Sequence, residues 1–434
     1  MGTKTQKLSN VVDQIVQWQS VVVADGSTNT TGVSGRGYFT DTSAGTHTIN
    51  LPASPKIGDI IKVSLITAGN VLTIGRNGNN INGSAADITT GTDGDMYELV
   101  YVNASEGWKT VGKIEGPKFI SATGGTITTS GDFKIHTFTG DDCFVVSVLG
   151  NVDIDPLGGP SVVDYIVVAG GGGGGSNSGD TVAAAGGGAG GFRESHSTPV
   201  SGSYTASPLA TPTGITVSAT TYPITVGAGG SGGSTPHVQG TNGSNSVFST
   251  ITSAGGGKGT NSNSPSIGSS AGGSGGGGTA LGRDQGGAGN TPPVSPPQGN
   301  PGGGRPSSPN FEQAADGGGG ATASGGVVNS QTGGAGGAGA TTSISGSPTA
   351  YAGGGGGGGG YGTAANQCGG AGGTGGGGNG GGTDTNLPVC GNSGTANTGG
   401  GGGGGGGDGD NCSPGNRQGG AGGKGIVILR YKFQ

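Results

Sequence analysis

The 434-residue sequence predicts a mainly β protein: a short N-terminal helix and a β module, then a small β domain carrying a large inserted glycine-rich bundle. Three observations lead there. Apolar alternation with turn signals fills the stretch before residue 170, whereas all but 23 of the 113 glycines fall at or beyond it. Glycine then comes in packed runs: Gly170–Gly175, Gly186–Gly188, Gly275–Gly278, Gly353–Gly360, Gly375–Gly378 and Gly399–Gly407. The chain closes on Ile426–Phe433 (IVILRYKF), a β-branched strand pattern that requires partner strands upstream. Glycine bounded on both sides by strands of one domain is an insertion whose ends are held together; a trailing disordered tail would not end this way.

From the N-terminus, Lys7–Ser20 sets Leu8, Val11, Val12, Ile15 and Trp18 at helical spacing. This predicts a short amphipathic helix within an attachment or trimerisation segment, 1–20. Over 21–115 the pattern changes to strands: Gly37–Asp41, Thr46–Leu51, Ile57–Leu65, Val71–Ile74, Tyr97–Val102 and Trp108–Val111. Asp25-Gly26, Ser54-Pro55, Asn77-Gly78, Asn82-Gly83 and Asp93-Gly94 break them. Lys113–Lys118 (KIEGPK) reads as a linker. The β domain over 116–169 uses Phe119–Thr128, Phe133–Phe138, Cys143–Leu149 and Val162–Ala169. Strands from about 192–254 (Tyr222–Val226, Val247–Ile251) and from 424–434 complete it.

Residues 170–423 need a packing route without side chains, because glycine loses the most backbone freedom on ordering and buries nothing of its own. Polyglycine II helices supply one. They have about three residues per turn, rise about 3.1 Å per residue and make no internal hydrogen bonds. Lacking Cβ atoms, neighbours approach closely enough to pair each other's N–H and C=O groups, as buried backbone must. The glycine-dense stretches suggest about twelve such passes, an even number that returns the chain to the β domain. Alternation places loops 176–185, 260–271, 290–301, 321–332, 361–368 and 408–418 at a far tip. It places 279–285, 305–316, 340–352 and 383–398 at the end nearer the β domain. Tyr351 and Phe311 then pack against that domain.

Composition excludes several function classes. A net charge of −6 with 18 Lys+Arg offers no concentrated positive charge for nucleic acid. No secretory h-region follows Met1–Lys7, and no apolar run approaches the roughly 20 residues that cross a bilayer, so no membrane insertion is expected. The strand and glycines of Tyr165–Gly175 match a dinucleotide fingerprint only formally, since no helix pattern follows. Gly259 and Gly425, after Lys258 and Lys424, stand where a P-loop needs Ser or Thr. His47, His136, His196 and His237 belong to no catalytic arrangement, and His136 reads as a sheet or core residue. The cysteines, Cys143, Cys368, Cys390 and Cys412, lack zinc-ligand spacing; a Cys368–Cys412 disulfide between neighbouring loops is compatible with the sequence. No cofactor, metal or catalytic residue is expected.

Val162–Gly175 (VVDYIVVAGGGGGG), Gly186–Phe192 (GGGAGGF), Tyr222–Gly230 (YPITVGAGG), Val247–Gly257 (VFSTITSAGGG) and Gly419–Phe433 (GGAGGKGIVILRYKF) resemble the glycine-rich domain of bacteriophage tail fibres and adhesins. Gly35–Thr42 (GRGYFTDT), Ile49–Pro55 (INLPASP), Leu72–Gly83 (LTIGRNGNNING) and Leu99–Trp108 (LVYVNASEGW) resemble a module of marine phage fibres. The resemblance implies a homotrimeric fibre on the virion that contacts other tail proteins through its N-terminus. It also implies a polyglycine II tip that binds a bacterial surface polysaccharide or outer-membrane protein, without catalysis. Tyr361, Asn366, Gln367, Asp408, Asp410, Asn411 and Arg417, in or beside the expected tip loops, are the candidate receptor contacts: an aromatic face with amides and charges suits sugar rings. The alternatives are a structural or ice-binding glycine-rich protein and, third, a polysaccharide-degrading tailspike. Acidic residues are sparse after Gly170, which disfavours the last.

Overall fold

The computed structural model describes residues 16–152, 157–177, 182–234, 237–261, 269–279, 285–304, 313–329, 331–360, 368–382, 390–407 and 417–434. Two compact units form: Met1–Phe119 with Gly150–Pro160, and Ile120–Leu149 with Ser161–Gln434. The chain is mainly β, and the only α-helix among the described residues is the single turn α1, Thr198–Ser201.

In the first unit the strands are β1 (Gln17–Trp18), β2 (Val22–Val23), β3 (Asn29–Thr31), β4 (Arg36–Asp41), β5 (His47–Asn50), β6 (Ile60–Thr67), β7 (Leu72–Gly75), β8 (Ile88–Thr90), β9 (Met96–Asn103) and β10 (Gly107–Ile114). From β3 to β7 the chain alternates between two sheets. One runs β1-β4-β6-β9-β10 with β2 beside β4; the other runs β3-β5-β7-β8. Within each sheet the early neighbours are parallel and the last ones antiparallel. The inward positions of the alternation, including Tyr38, Ile49, Leu51, Ile61, Val63, Leu65, Leu72, Ile74, Leu99 and Trp108, form one buried cluster between the sheets. The helix expected over 7–20 is corrected where it can be seen: residues 17–18 are the edge strand β1, paired with Arg36–Gly37, and residues 7–15 lie outside the described residues. Trp18 lies on Gly37, where any Cβ would strike the indole, and stacks on Phe39 at 4.2 Å. That platform, available only to a strand, outweighs the helical spacing.

The second unit contains β11 (Ser121–Thr123), β12 (Thr126–Ser130), β13 (Phe133–Phe138), β14 (Asp142–Val148), β15 (Val162–Val168), β16 (Phe192–Ser195), β17 (Ala210–Thr211), β18 (Ile215–Thr216), β19 (Thr221–Thr225), β20 (Ser246–Phe248), β21 (Ile251–Ser253), β22 (Ala340–Thr342), β23 (Thr349–Tyr351) and β24 (Ile426–Lys432). The C-terminal strand is central, antiparallel to β13 on one side and β15 on the other. Its alternation serves two cores. Val427, Leu429 and Tyr431 meet Phe138, Phe144, Tyr165 and Phe248. Ile426 and Ile428 meet Ile135, Ile166, Phe192, Ile344 and Tyr351, so the β22–β23 hairpin packs onto the domain as expected for Tyr351. Phe311 lies outside the described residues.

Between these strands the glycine-rich chain runs back and forth in extended passes. Outward passes are 170–177, 227–234, 254–261, 273–279, 299–304, 324–329, 352–360, 377–382 and 399–407. Inward passes are 182–191, 237–245, 269–272, 285–290, 313–320, 331–339, 368–373, 390–394 and 417–424. Among the described residues they are eighteen, against about twelve expected from the runs. The count is higher because glycine-dense runs mark chiefly the buried passes, and because 369–378 is two passes joined by a turn at Gly375 and Gly376 (φ +99° and +92°).

Pass 170–177 shows how the passes pair. The N–H groups of Gly170 to Gly175 donate in rotation to three antiparallel neighbours: to Ser244 and Thr241, to Gly423 and Gly420, and to Gly188 and Ala185, at 2.8–3.0 Å. Their carbonyls accept in the same rotation from three parallel neighbours: from Gly256 and Gly259, from Gly230 and Gly233, and from Gly402 and Gly405. The repeat is three residues on both sides, and all twelve backbone groups of these six glycines are paired although the segment is fully buried. A Cβ on any of them would collide with a neighbour's carbonyl. Close approach, not positive φ, is what demands glycine here.

Candidate binding surface

The hydrogen-bond register sorts the pass ends onto two sides. Toward the strands, Ala169, Gly191, Ala254, Gly399 and Lys424 are linked in series: Ala169 N–H to Gly191, Gly191 N–H to Ala254, Gly190 N–H to Gly399 and Gly399 N–H to Lys424. Phe192 N–H donates to Gln298, Ala321 N–H to Ala352, Ala352 N–H to Thr398 and Gly339 N–H to Thr374. Away from the strands, Asn177 N–H donates to Arg417, Ala183 N–H to Gln313, Gly278 N–H to Gly303, Gly407 N–H to Gly359, Gly359 N–H to Gly381 and Gly360 N–H to Gln331. Every connection after an outward pass therefore leaves and re-enters at this far side.

Several loop assignments made by parity are thereby corrected. The connection 290–298 lies on the β side, where Gln298 Oε1 accepts from Ala254 N–H at 2.8 Å and Gln298 N–H donates to Asn290 Oδ1 at 3.2 Å. Residues 321–323 also lie there, since Gly320 N–H donates to Ala323 and Ala321 N–H to Ala352. The residues bounding 280–284, 305–312 and 383–389 instead lie on the far side. The cause is the six uncounted passes, five without conspicuous glycine runs and one hidden because 369–378 is two, each of which inverts the count. Connections bounded by 177 and 182, 261 and 269, 360 and 368, and 407 and 417 are on the far side, as expected.

Side chains reinforce this far side. Ser176 Oγ accepts from Val238 N–H at 2.8 Å and donates to Ser234 O at 2.6 Å, pinning pass 170–177 to passes 227–234 and 237–245. Asn177 Nδ2 donates to Gly406 O at 3.1 Å. Asn261 Nδ2 donates to His237 O, while Asn261 Oδ1, Thr279 Oγ1 and Gln331 Oε1 are buried atoms without a hydrogen-bond partner among the described residues. Of the candidate contacts, Arg417 is placed on the far side through its carbonyl. Tyr361, Asn366, Gln367, Asp408, Asp410 and Asn411 lie outside the described residues, as does Cys412. Cys368 is a half-buried free thiol at the start of its inward pass, its carbonyl accepting from Gly333 N–H at 3.1 Å.

Chemically active side chains elsewhere in this unit hold structure. Asp164 is buried and accepts from Ser195 Oγ, Ser201 Oγ and Ser197 N–H, each at 2.7 Å. Glu194 is buried against Thr342 Oγ1 (2.6 Å) and Ser207 N–H (3.0 Å), and burial pushes its carboxyl above the usual range. Arg430 donates to Ser201 O at 2.7 Å and Ile344 O at 3.2 Å with its guanidinium over Phe133 and Tyr204. Together they tie α1 and the β22–β23 hairpin to the sheet. His136 lies in the core between Gly124 O (2.8 Å) and Tyr431 Oη (3.0 Å), and burial pulls its ring below the ordinary imidazole range. Sequence reading missed Asp164 and Glu194 because each sits singly in a strand pattern.

Among the described residues no group of three or more His, Cys, Asp or Glu side chains is arranged to hold a metal, and no helix is long and apolar enough to cross a membrane. No curated protein matches the chain. A family model described as a glycine-rich domain matches residues 147–432. That span covers most of the second unit, glycine passes and flanking strands together, and the chain belongs to this glycine-rich domain family.

Proposed function

We propose that this protein is a bacteriophage tail-fibre adhesin that adsorbs a virion to its bacterial host and catalyses nothing. Its glycine passes form a polyglycine II bundle, a reading supported by the three-residue rotation of lateral hydrogen bonds in pass 170–177. The observation that carries the functional reading is the return of nine connections on one side, away from the strands that anchor both ends of the insertion. A scaffold that gathers connections of polar sequence at one end suits recognition, because loop sequence can change there without altering the scaffold. The connections bounded by Gly360 and Cys368 and by Gly407 and Arg417 carry Tyr361, Asn366, Gln367, Asp408, Asp410 and Asn411, the residues assigned to a surface polysaccharide or outer-membrane protein. A homotrimer, joined to other tail proteins through the N-terminal segment, would multiply weak contacts by avidity.

Labelled protein incubated with a panel of marine bacteria tests this reading. Saturable binding to some strains, blocked by that strain's purified polysaccharide or outer-membrane fraction and lost on replacing 361–367 and 408–416, is expected. Binding to no strain, or binding unaffected by both replacements, would count against it.

A structural or ice-binding role draws support from one face. On pass 227–234, Ala228, Ser231 and Ser234 are exposed at three-residue spacing. On the neighbouring passes the corresponding exposed residues include Val238 and Gln418, which interrupt a flat row of small groups. Thermal hysteresis in a freezing assay would favour this alternative.

A further inference from the structure

We propose that Cys368 and Cys390 form a two-thiolate site for a thiophilic d10 cation of the Zn²⁺/Cd²⁺ class, on the flank of the glycine passes near their far side. The two residues open consecutive inward passes, 368–373 and 390–394, and the outward pass 377–382 runs between them. Gly380 N–H donates to Gly370 O at 2.9 Å on one side; on the other, Asn392 N–H donates to Asn379 O at 2.8 Å. Both flanking passes run antiparallel to the middle one. Stepping two residues back from Gly370 and from Asn392 therefore brings Cys368 opposite Gly382 and Cys390 opposite Gly381, offset along the pass by one residue, about 3 Å. Both are half-buried and line one groove of about 260 Å³, with Gly380 and Gly382 on its floor and Asn379 and Asn392 along it.

This geometry disfavours a disulfide and favours a bridging cation. Hydrogen-bonded chains lie about 4.8 Å apart, so two backbones separated by a third are roughly 9–10 Å apart if the row is flat. A disulfide requires Cα atoms about 4.4–6.8 Å apart. A cation bound at about 2.3 Å from each sulfur holds the sulfurs roughly 4 Å apart, twice the S–S bond length. Among the described residues the floor between them is glycine, Gly380 and Gly382. On binding, each thiol loses its proton to solvent as the sulfur–metal bond forms; no oxidant takes part. With two protein ligands the remaining positions belong to water, which makes the site open and exchangeable, unlike a four-ligand structural zinc.

The sequence carries an independent trace of the arrangement. Cys368, Cys390 and Cys412 recur every 22 residues, and the first two each open an inward pass, so the period equals one out-and-back excursion.

The test is titration of the reduced full-length protein with Cd²⁺, reading the thiolate-to-metal band in the ultraviolet, and with Zn²⁺ by calorimetry. In a C143S/C412S background we expect one cation per chain, with affinity falling more than about tenfold on adding C368S or C390S. Should that background not fold, wild type, C143S, C368S and C390S are compared singly, and only the last two should lose the site. No band, or a band that survives both C368S and C390S, overturns the proposal. So does mild oxidation that links Cys368 to Cys390 in the folded protein, because it would place the two backbones as direct neighbours.

Discussion

A single methyl group placed at the centre of the glycine passes should unfold them locally, and Gly172→Ala measures this. Its Cβ would fall 2.6 Å from the carbonyl carbon of Gly257 and closer still to the oxygen. Carbon contacts are comfortable at about 3.5–4.0 Å, so passes 170–177 and 254–261 must part by about 1 Å. They are joined by Gly256 N–H to Gly170 O and Gly259 N–H to Gly173 O, both at 2.9 Å. Stretched to about 3.9 Å, neither remains a hydrogen bond. Each buried pair left unmet costs about 1–3 kcal/mol, or about 2–6 kcal/mol for the two. Against this, replacing glycine by alanine at a permissive φ usually stabilises by about 0.4–1 kcal/mol through the unfolded chain. The clash wins. Ala335→Ser, at an exposed outer position of pass 331–339, should stay within about 0.5 kcal/mol. Differential scanning calorimetry should show the second unit's transition lowered by at least about 4 °C for G172A. Amide exchange read by mass spectrometry should accelerate in peptides from both passes. A G172A protein that melts with wild type and keeps its protection would refute the close-packing account.

Other outcomes follow from the β strands and turns. The His136 ring titrates below an unfolded value of about 6.5, so its contribution is fully present above that pH and lost as pH falls through it. The stability difference between wild type and His136→Asn should therefore shrink between about pH 7 and about pH 5, and a difference that grows on acidification would reverse the assignment. Asp164→Asn keeps the shape but weakens three hydrogen bonds to a charged acceptor; urea denaturation should show a loss of at least about 2 kcal/mol. Gly375→Ala forces a side chain into φ +99° beside Tyr351 O and should loosen the turn between passes 368–373 and 377–382, seen as faster exchange at Gly377 and Gly378. All four ion pairs among the described residues belong to the first unit. Raising salt from about 0.05 to about 1 M should thus leave exchange protection of the glycine passes unchanged.

That strands flank the glycine on both sides and that β24 must find partners upstream is legible in the residues alone, because its apolar alternation fits no other environment. The unbroken glycine runs also mark three of the buried passes, 170–177, 352–360 and 399–407, where a Cβ on the glycines would meet a neighbour's backbone. They do not reveal the outer passes. On 227–234 every third residue, Ala228, Ser231 and Ser234, faces outward and carries a side chain, and only the two between must be small. The signal there is a period of three, as at Gly240 and Gly243 or Gly391 and Gly394, not a run. A parity counted from the runs alone omits those passes, which puts loops such as 290–298 and the connection from 304 to 313 on the wrong side. Which connections share a side depends on the cumulative number of reversals, and that is a property of the whole path. Tertiary structure likewise decided that Trp18 belongs to a strand and that Cys368 and Cys390 face one groove. Register between passes is set by lateral hydrogen bonds between residues distant in the chain, and no local pattern encodes it.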